Sequence, residues 1–312
     1  MRVVFMGSPS FALPSLQALL VHHRVVGVVT QPDRPSGRGQ QPTAPAVKDL
    51  AIAHELPYDQ PASLRSDAVL HRLQAWSPEL IVVAAFGQIL PPAVLDLPPH
   101  GCLNVHASLL PRWRGAAPVQ AAIAHGDQET GVTIMKMDPG LDTGPILSQQ
   151  STPIGPNETG GELGDRLAEI GAGLLIKTIP AYTAGDLLPE PQPDEDATYA
   201  TMLKKSDGAL QFDQSAEALA RLVRAYRPWP GTHFRWHGIR LAVLSAHAES
   251  FGATPSEPGT GTVIGGMPAV AAADGYLVLD IVQPAAKRPM DGQAFLHGAP
   301  AFSGSRIEAS SQ

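Results

Sequence analysis

The chain has 312 residues, and this length favours two domains because single hydrophobic cores stop growing at about 250–300 residues. Apolar residues make up 44% and charged residues 16%, and the longest apolar run, at residues 80–86, has the length of a strand, so the composition favours a globular protein and excludes a membrane-spanning helix. The net charge of −7 argues against a protein that is basic throughout, as simple nucleic-acid-binding proteins are.

The first half of the chain alternates segments typical of strands with segments typical of helices. Strands are predicted at residues 2–6, 25–30, 80–86, 102–106 and 132–137, and helices at residues 10–21, 43–55, 118–125 and 159–184. This alternation predicts an α/β fold with a mostly parallel, Rossmann-like sheet covered by helices on both faces. Such sheets bind ligands beyond the carboxyl ends of their strands, so functional residues are expected in the loops after the strands.

The composition changes after residue 184. Residues 185–205 are rich in proline and acidic residues and are predicted to form a linker. A helix at 215–226 and short strands at 233–236, 240–246, 262–264 and 276–282 follow, separated by glycine-rich turns. This spacing is typical of a small β-barrel or sandwich. The predicted organisation is therefore a domain at 1–184, a linker at 185–205 and a second domain at 206–312.

Positive charge is concentrated in the second domain. Residues 204–312 carry 10 Lys and Arg against 9 Asp and Glu, whereas residues 1–203 carry 12 against 20. Arg221, Arg224 and Arg227 recur on one side of the predicted helix 215–226, which indicates either a basic stripe or an ordinary solvated face. The second domain is therefore the better candidate for contact with a polyanion.

Two observations bear on localisation. The chain begins directly with a predicted strand, so no signal or transit peptide is expected. Its single cysteine, Cys102, suits a reducing compartment. We expect the protein to be cytoplasmic.

The clearest set of chemically active side chains lies on a predicted strand that runs into a loop. Cys102, Asn104 and His106 alternate along residues 102–106, so they share one face of the strand. An amide donor and an imidazole in that position can polarise a carbonyl oxygen and stabilise an oxyanion. The residue types equally allow an ordinary strand end, where Asn104 and His106 cap the following loop.

Cys102 adds a rival hypothesis. With His106 on the same face, it can be interpreted as a thiol nucleophile for acyl transfer. The alternative is a small buried hydrophobic residue, which is the commoner role of a lone cysteine in a strand.

A glycine- and proline-rich loop after the strand at 132–137 carries two carboxylates, Asp138 and Asp142. A carboxylate here can orient His106 or accept the proton released by an attacking amine. Alternatively, both residues are turn residues whose side chains bond their own backbone.

The loop at residues 31–41 presents two arginines, Arg34 and Arg38, and is predicted to be long and flexible. Arginine suits phosphate recognition, although a plain surface loop remains equally compatible with the sequence. The segment after the first strand, residues 7–10, does not match the dinucleotide-binding pattern G-x-G-x-x-G, and the chain contains no Walker motif. These absences argue against an ordinary dinucleotide-binding or P-loop enzyme.

Taken together, the motifs resemble the methionyl-tRNA formyltransferase family, which belongs to the folate-dependent formyltransferases. The segments that carry the resemblance are residues 5–16, 30–39, 104–118, 129–135, 140–144 and 228–230, in this order. The resemblance implies a formyltransferase fold followed by an OB-like C-terminal barrel that contacts tRNA. It also implies transfer of the formyl group of 10-formyltetrahydrofolate to the α-amino group of methionine on initiator tRNA, for translation initiation, without a metal.

The resemblance implies roles for particular residues. Asn104, His106 and Asp142 would be catalytic: Asn104 and protonated His106 would hold the oxyanion, while Asp142 would keep His106 charged and relay the proton of the amine. Arg38 and Arg34 would act on the acceptor end of the tRNA, and a monomer is expected. The implied folate site comprises Ser108, Leu109, Leu110, Pro111, Phe86, Gly87, Gln88, Ile89, Leu90 and Asp138.

Three alternatives remain at this point. An amino-sugar nucleotide formyltransferase would share the catalytic block, but its substrate would not call for the loop at residues 32–39. A glycinamide ribonucleotide formyltransferase would lack the second domain. A non-catalytic folate- or RNA-binding module would not be expected to retain Asn104, His106 and Asp142.

Overall fold

The structure, a computed structural model, describes residues 1–36, 41–250 and 257–308 of the chain. The chain divides into two units. Unit 1 comprises Met1–Pro118, Glu129–Pro153 and Gly164–Ala200, and unit 2 comprises Val119–Gln128, Ile154–Leu163 and Thr201–Gln312. Residues 185–200 of the predicted linker therefore group with unit 1, whereas two short segments of the first half group with unit 2. The domain boundaries at 184 and 206 stay a prediction.

The strands of unit 1 form a seven-stranded sheet, a hairpin and a two-stranded pair. In chain order they are β1 (Arg2–Gly7), β2 (Arg24–Val29), β3 (Arg34–Ser36), β4 (Gln41–Thr43), β5 (Tyr58–Asp59), β6 (Leu80–Ala84), β7 (Cys102–His106), β8 (Arg114–Gly115), β9 (Glu129–Lys136), β10 (Ile146–Pro153) and β11 (Tyr199–Ala200). The helices up to residue 184 are α1 (Leu13–His22), α2 (Ala46–Ala53), α3 (Asp67–Trp76), α4 (Pro92–Leu95), α5 (Pro118–His125) and α6 (Gly160–Ala184).

The large sheet has the order β10-β9-β7-β6-β1-β2-β5. The five strands from β7 to β5 run parallel, whereas β9 is antiparallel to β7 and β10 is antiparallel to β9. Every residue of β6 and β7 is buried, as expected for central strands that are covered on both faces. The predicted α/β fold with a mostly parallel sheet is therefore confirmed.

Most elements predicted for the first half of the chain differ from the observed ones only at their ends. The strand at 102–106 and the helix at 118–125 have the predicted bounds. The helix predicted at 10–21 is a 3₁₀ turn (Ser10–Ala12) followed by α1. The helix predicted at 43–55 starts only at Ala46, because Pro45 disfavours helical geometry in the residue before it.

Several elements of unit 1 were not predicted, among them α3, β10 and the short strands β3, β4, β5, β8 and β11. The helix α3 is mostly exposed, and its buried side chains are only Val69 and Leu73. The strand β10 lies at the edge of the sheet and is mostly polar and partly exposed, so it lacks the apolar run by which the central strands were recognised.

The direction of β9 determines where its following loop begins. In the pairing with β7, Lys136 at the end of β9 lies opposite Leu103 at the start of β7, and Thr133 lies opposite His106. The loop at residues 137–145 therefore begins at the amino end of β7, not at the carboxyl end where ligand sites of parallel sheets are expected. Its residues reach Asn104 and His106 only by turning back along β7.

Unit 2 contains a six-stranded antiparallel sheet of order β12-β13-β16-β15-β14, with β17 beside β16. Its strands are β12 (Thr232–Trp236), β13 (Ile239–Glu249), β14 (Gly261–Ile264), β15 (Met267–Ala271), β16 (Tyr276–Pro284) and β17 (Met290–Asp291). Its C-terminal part also contains the helices α7 (Ala216–Ala225) and α8 (Gly292–His297). The predicted second domain built mostly of β-strands is confirmed, whereas the OB-like barrel stays a prediction.

The apolar side of α7 explains how the helix attaches to the sheet of unit 2. Ser215 caps the helix by accepting a hydrogen bond from the backbone N–H of Ala218, and Leu219 and Val223 are buried in the same core as Phe234 and Leu279.

The three arginines of α7 and its end contact backbone carbonyl oxygens of unit 2. Arg221 Nε donates to the Ala124 oxygen at 3.2 Å, an Arg224 guanidinium nitrogen donates to the Glu158 oxygen at 3.2 Å, and Arg227 donates to the Leu244 oxygen at 3.2 Å. Burial lowers the pKa of Arg224. Arg221 and Arg224 are therefore partly buried packing residues and do not form the free basic stripe that their spacing indicated.

Candidate active site

Asp142 connects the polar side chains that the sequence singled out. Its Oδ1 accepts a hydrogen bond from Asn104 Nδ2 at 3.3 Å, and its Oδ2 accepts one from the backbone N–H of Gly115 at 2.9 Å. The same Oδ2 lies 3.7 Å from His106 Nδ1. Asn104 and His106 are 9% and 5% exposed. The structure therefore brings the three predicted catalytic residues together in a nearly buried cluster.

The hydrogen bonds of His106 determine which ring nitrogen faces the cluster. Nε2 lies 2.9 Å from the carbonyl oxygen of Trp113, and a carbonyl oxygen only accepts, so Nε2 carries a proton. The proton that the ring can gain or lose is therefore at Nδ1, the atom that faces Asp142.

The two carboxylates of the loop after β9 behave differently. Asp138 Oδ1 accepts hydrogen bonds from the backbone N–H of Gly140 at 3.0 Å and from Thr143 Oγ1 at 2.8 Å, so Asp138 is a turn residue that bonds its own loop. Asp142 instead reaches residues of β7 and β8. Its φ of 53° lies in the left-handed region, which Asp tolerates better than most residues.

Residues 188–200, which the sequence assigned to a linker, contribute to the surroundings of Asp142. Gln192 Nε2 donates to the carbonyl oxygens of Asp142 and Gly144, and its Oε1 accepts from Arg114 Nε. Sequence reasoning missed Gln192 and Arg114, because a glutamine within a proline-rich stretch carries no signal of a long-range partner. The sequence signal that could have pointed to Arg114 was its position beside Gly115 within the block at 104–118.

The predicted folate residues after β7 form a tightly bonded loop. The backbone carbonyl oxygen of Ser108 accepts from Thr133 Oγ1 at 2.7 Å, and that of Leu110 accepts from Gln149 Nε2 at 2.8 Å. Ser108 and Leu110 are buried, so their side chains support the loop. Leu109 and Pro111 are partly exposed and remain accessible to a ligand.

The segment at residues 86–90 divides into buried and exposed positions. Phe86 and Leu90 belong to the hydrophobic core of unit 1, whereas Ile89 is 74% exposed and Gly87 is exposed. Gln88 is partly buried, and its side chain donates to the Pro61 carbonyl oxygen. Among these predicted folate residues, Gly87 and Ile89 are the ones most accessible to a ligand.

A cavity of about 470 Å³ lies in unit 1, at the amino end of β7. It has the size of a small-molecule site, for which about 300–1,000 Å³ is usual. Its lining shares Asp138 with the predicted folate residues but does not include Asn104, His106 or Asp142. The lining residues are Pro92, Leu95, Asp96, Pro98, Pro99, Gly101, Lys136, Met137, Asp138 and Pro139.

Cys102 is not placed to act as a nucleophile. Its side chain is 1% exposed, and Sγ contacts the carbonyl oxygens of Val94 and Leu95. Burial, with a smaller contribution from Asp96, raises the pKa of Cys102 to about 12. Because the thiolate is the reactive form, the thiol is inert near neutral pH, and Cys102 is the buried hydrophobic residue of the two sequence interpretations.

We expect Cys102→Ala to keep kcat within about twofold of the wild type, since the thiol takes no part in the chemistry. Iodoacetamide should leave the folded wild-type protein active at pH 8 and should label the single cysteine once the protein is denatured. Loss of activity upon alkylation of the folded protein would restore the thiol-nucleophile hypothesis.

Arg34 lies on the hairpin of β3 and β4, and Arg38 lies outside the described residues. Arg34 is exposed, and its guanidinium donates to Gln31 Oε1 at 3.2 Å. Hydrogen bonds from Gln60 and Lys48 lower the pKa of the neighbouring Asp33. Beside the hairpin lies a second cavity of about 400 Å³, with Ser8, Gln31, Arg34 and Thr43 in its lining.

Two further findings hold for the described ranges 1–36, 41–250 and 257–308. No group of three or more His, Cys, Asp or Glu side chains in them is arranged to hold a metal ion. None of their helices combines the length and the apolar character needed to cross a membrane.

Family models match both halves of the chain. Residues 1–179 match the formyl transferase family, and residues 202–300 match the C-terminal domain of formyl transferases.

The chain is also similar over nearly its whole length to bacterial methionyl-tRNA formyltransferases. It is 48% identical over 309 residues to the methionyl-tRNA formyltransferase of Chloroflexus aurantiacus, with 96% of this chain and 98% of that protein covered. It is 46% identical over 308 residues to the methionyl-tRNA formyltransferase of Myxococcus xanthus, with 98% and 97% covered.

Two solved structures with the same fold are similar to the chain at much lower identity. The sugar 3N-formyl transferase WlaRD, solved with dTDP and 5-N-formyl-THF, superposes with a TM-score of 0.65 at 17% identity over 92% of this chain and 99% of that one. HypX from Aquifex aeolicus, in complex with tetrahydrofolic acid, superposes with a TM-score of 0.61 at 15% identity over 95% of this chain and 47% of that one.

Proposed function

The chain belongs to the methionyl-tRNA formyltransferase family, and we propose that Asn104, His106 and Asp142 are the residues that carry out its reaction. The protein is a formyl-transferring enzyme that formylates the methionine carried by initiator tRNA and so serves translation initiation. The donor is a folate, and we take it to be 10-formyltetrahydrofolate. The observation that supports the catalytic assignment is the convergence of Asn104, Gly115 and His106 on the Asp142 carboxylate.

Asn104 and His106 stabilise the oxygen that becomes negatively charged during transfer. One N–H of the Asn104 side chain donates to Asp142, which leaves the second N–H for a substrate oxygen. His106 in its protonated form offers a second donor at Nδ1, since Nε2 is bonded to the Trp113 carbonyl oxygen. Two donors in a nearly buried site stabilise a developing oxyanion more strongly than water does.

Asp142 holds these donors in place and handles the proton of the amine. The amine nitrogen forms a bond to the formyl carbon, and the bond from that carbon to the donor nitrogen breaks. The amine loses one proton and the donor nitrogen gains one, so the reaction needs a proton acceptor and a proton donor. The Asp142 carboxylate accepts the proton from the amine, and Nδ1 of His106 delivers one to the leaving nitrogen.

For the folate, we propose a site formed by the predicted residues that remain accessible, Leu109, Pro111, Gly87 and Ile89, together with the cavity that includes Asp138. Ser108, Leu110, Phe86, Gln88 and Leu90 support the loops that carry these residues. The fit is supported by the cavity volume of about 470 Å³ and by its proline, Leu95 and Met137 walls, which suit a flat heteroaromatic ring.

For the tRNA, we propose that Arg38 and Arg34 contact the acceptor end and that unit 2 contacts the phosphate backbone as an OB-like domain. The exposed guanidinium of Arg34 on the β3–β4 hairpin supports this assignment. We also propose that the protein acts as a monomer in the cytoplasm.

We expect Arg38→Ala to lower kcat/KM for initiator methionyl-tRNA by about tenfold or more, because a hydrogen bond to a charged group contributes about 1.5–3 kcal/mol. Arg34→Ala should have a smaller effect, and KM for the folate should stay unchanged. Arg65→Ala is the matched control, since Arg65 is exposed elsewhere in unit 1. Equal tRNA kinetics for the Arg38 variant and this control would contradict the assignment.

The experiment that tests the function measures transfer from formyl-labelled 10-formyltetrahydrofolate to four acceptors: initiator methionyl-tRNA, elongator methionyl-tRNA, free methionine and an amino-sugar nucleotide. We expect selective labelling of the initiator methionyl-tRNA. Labelling of the sugar nucleotide alone would keep the catalytic assignment and overturn the substrate. Absence of labelling on every acceptor would favour a non-catalytic binding module.

A further inference from the structure

Arg114 is a buried cation whose partners lie in the segment at residues 188–200. Its side chain is 2% exposed, its Nε donates to Gln192 Oε1 at 3.0 Å, and a terminal nitrogen donates to Asp194 Oδ1 at 2.9 Å. Asp194 itself is 85% exposed. A buried charge is kept only where its hydrogen bonds are satisfied, so Arg114 ties Gln192 firmly to β8.

Gln192 uses all the polar atoms of its side chain. Both protons of Nε2 have a partner, the Asp142 carbonyl oxygen at 2.8 Å and the Gly144 carbonyl oxygen at 2.7 Å, while Oε1 accepts from Arg114. The reverse orientation of the amide would place its oxygen against two carbonyl oxygens and its nitrogen against a guanidinium. Its orientation is therefore fixed, and it bridges Arg114 to the backbone on both sides of Thr143.

These bonds connect two groups of Asp142, its carbonyl oxygen and its carboxylate, to residues of β8. The Asp142 carbonyl oxygen accepts a hydrogen bond from Gln192, whose side chain is in turn bonded to Arg114. The Asp142 carboxylate accepts a hydrogen bond from the backbone N–H of Gly115, the residue that follows Arg114. Between these two groups Asp142 adopts a φ of 53°, which a non-glycine residue leaves readily unless its surroundings hold it.

We propose that Gln192, supported by Arg114, is a positioning residue that holds the Asp142 carboxylate against Asn104 and His106. The proposal rests on the proposed catalytic role of Asp142. The polar atoms of the Gln192 side chain are all bonded within the protein, so Gln192 acts through the conformation of residues 142–144. Its removal therefore reduces catalysis while the binding of both substrates is retained.

The first test replaces Gln192 with leucine, which has a similar size but no donor. We expect kcat to fall about 10-fold to 100-fold, as for a catalytic group displaced by about 1 Å. KM for the tRNA and for the folate should change less than about threefold. The matched control is Gln74→Leu, the same change on the exposed side of α3, which should leave kcat unchanged.

A second variant separates positioning from a general loss of stability. Gln192→Glu keeps an acceptor for Arg114 but provides no donor to the two carbonyl oxygens. We expect it to lose kcat at least to the extent of Gln192→Leu, because its second oxygen faces the Asp142 and Gly144 carbonyl oxygens, while the retained bond to Arg114 keeps the segment attached to β8. A normal kcat in Gln192→Glu would overturn the proposal even if Gln192→Leu did not fold.

A double-mutant cycle with Asp142→Asn then tests whether Gln192 acts through Asp142. We expect Gln192→Leu to cost less than about twofold in kcat once Asp142 is already asparagine. If the two losses multiply, Gln192 acts independently of Asp142 and the proposal is wrong. If Asp142→Asn alone has no effect on kcat, the proposed catalytic set fails instead, and the two failures are thereby distinguished.

Discussion

The His106→Ala variant is expected to lose about 10³-fold in kcat, within the range of about 10²–10⁴ for a group that transfers protons in the transition state. The loss arises because Nδ1, the ring atom that faces Asp142, is the only one free to donate to the substrate. Asn104→Ala should lose about 10²–10³-fold, the usual effect of removing one oxyanion donor. Asp142→Asn keeps the shape of the side chain and removes its charge, and its kcat should fall by a factor similar to that of Asn104→Ala.

These losses are measured as single-turnover rates of formyl transfer, with thermal unfolding followed in parallel. His71→Ala is the control, because His71 is exposed on α3 and should leave both quantities unchanged. Turnover near the wild-type value in the Asn104, His106 and Asp142 variants would show that the catalytic set lies elsewhere.

The Gly115→Ala variant is expected to lose about 100-fold in kcat and about 1–3 kcal/mol of unfolding free energy. Gly115 has a φ of 115°, and an added Cβ would lie 2.5 Å from the backbone carbonyl oxygen of Ala200. Because that oxygen belongs to β11, the β8–β11 pair has to separate to make room. The backbone N–H of Gly115 then moves away from the Asp142 carboxylate that it holds.

The matched control is Gly173→Ala in α6. A Cβ at this exposed position has no heavy atom within 4 Å, and the backbone is already helical. The substitution should therefore stabilise the protein by about 0.5–1 kcal/mol without changing kcat. If Gly115→Ala and Gly173→Ala have equal kinetic constants, β8 has no role in the site.

The central strands of unit 1 were predictable because burial on both faces leaves an unbroken apolar run, as at residues 80–86. The common face of Asn104 and His106 was predictable for an equally local reason, the alternation of side chains along a strand. The edge strand β10 was not predictable, because a strand at an exposed edge of a sheet requires no apolar residues.

The candidate site depended on information that lies far apart in the sequence. By residue type Asp138 and Asp142 are equivalent turn carboxylates, and only the family resemblance gave them different roles. The structure supplies the contacts: Asp138 bonds its own loop, whereas Asp142 reaches Asn104 across 38 positions. The rule that sites lie at carboxyl ends of strands also did not apply to this loop, because β9 runs antiparallel to β7. The thiol of Cys102 is unreactive because it is buried, and the sequence around Cys102 did not distinguish a buried thiol from a nucleophile.

The sequence by itself determined the α/β class, the central strands, the family and the residue types that carry the chemistry, because each depends on local periodicity or on contiguous motifs. The tertiary structure alone decided which atoms of Asp142 contact Asn104 and His106, that Arg114 is buried, and that Gln192 of the predicted linker holds residue 142. These contacts depend on strand order and direction and on the reach of single side chains. Such features leave no pattern in neighbouring residues.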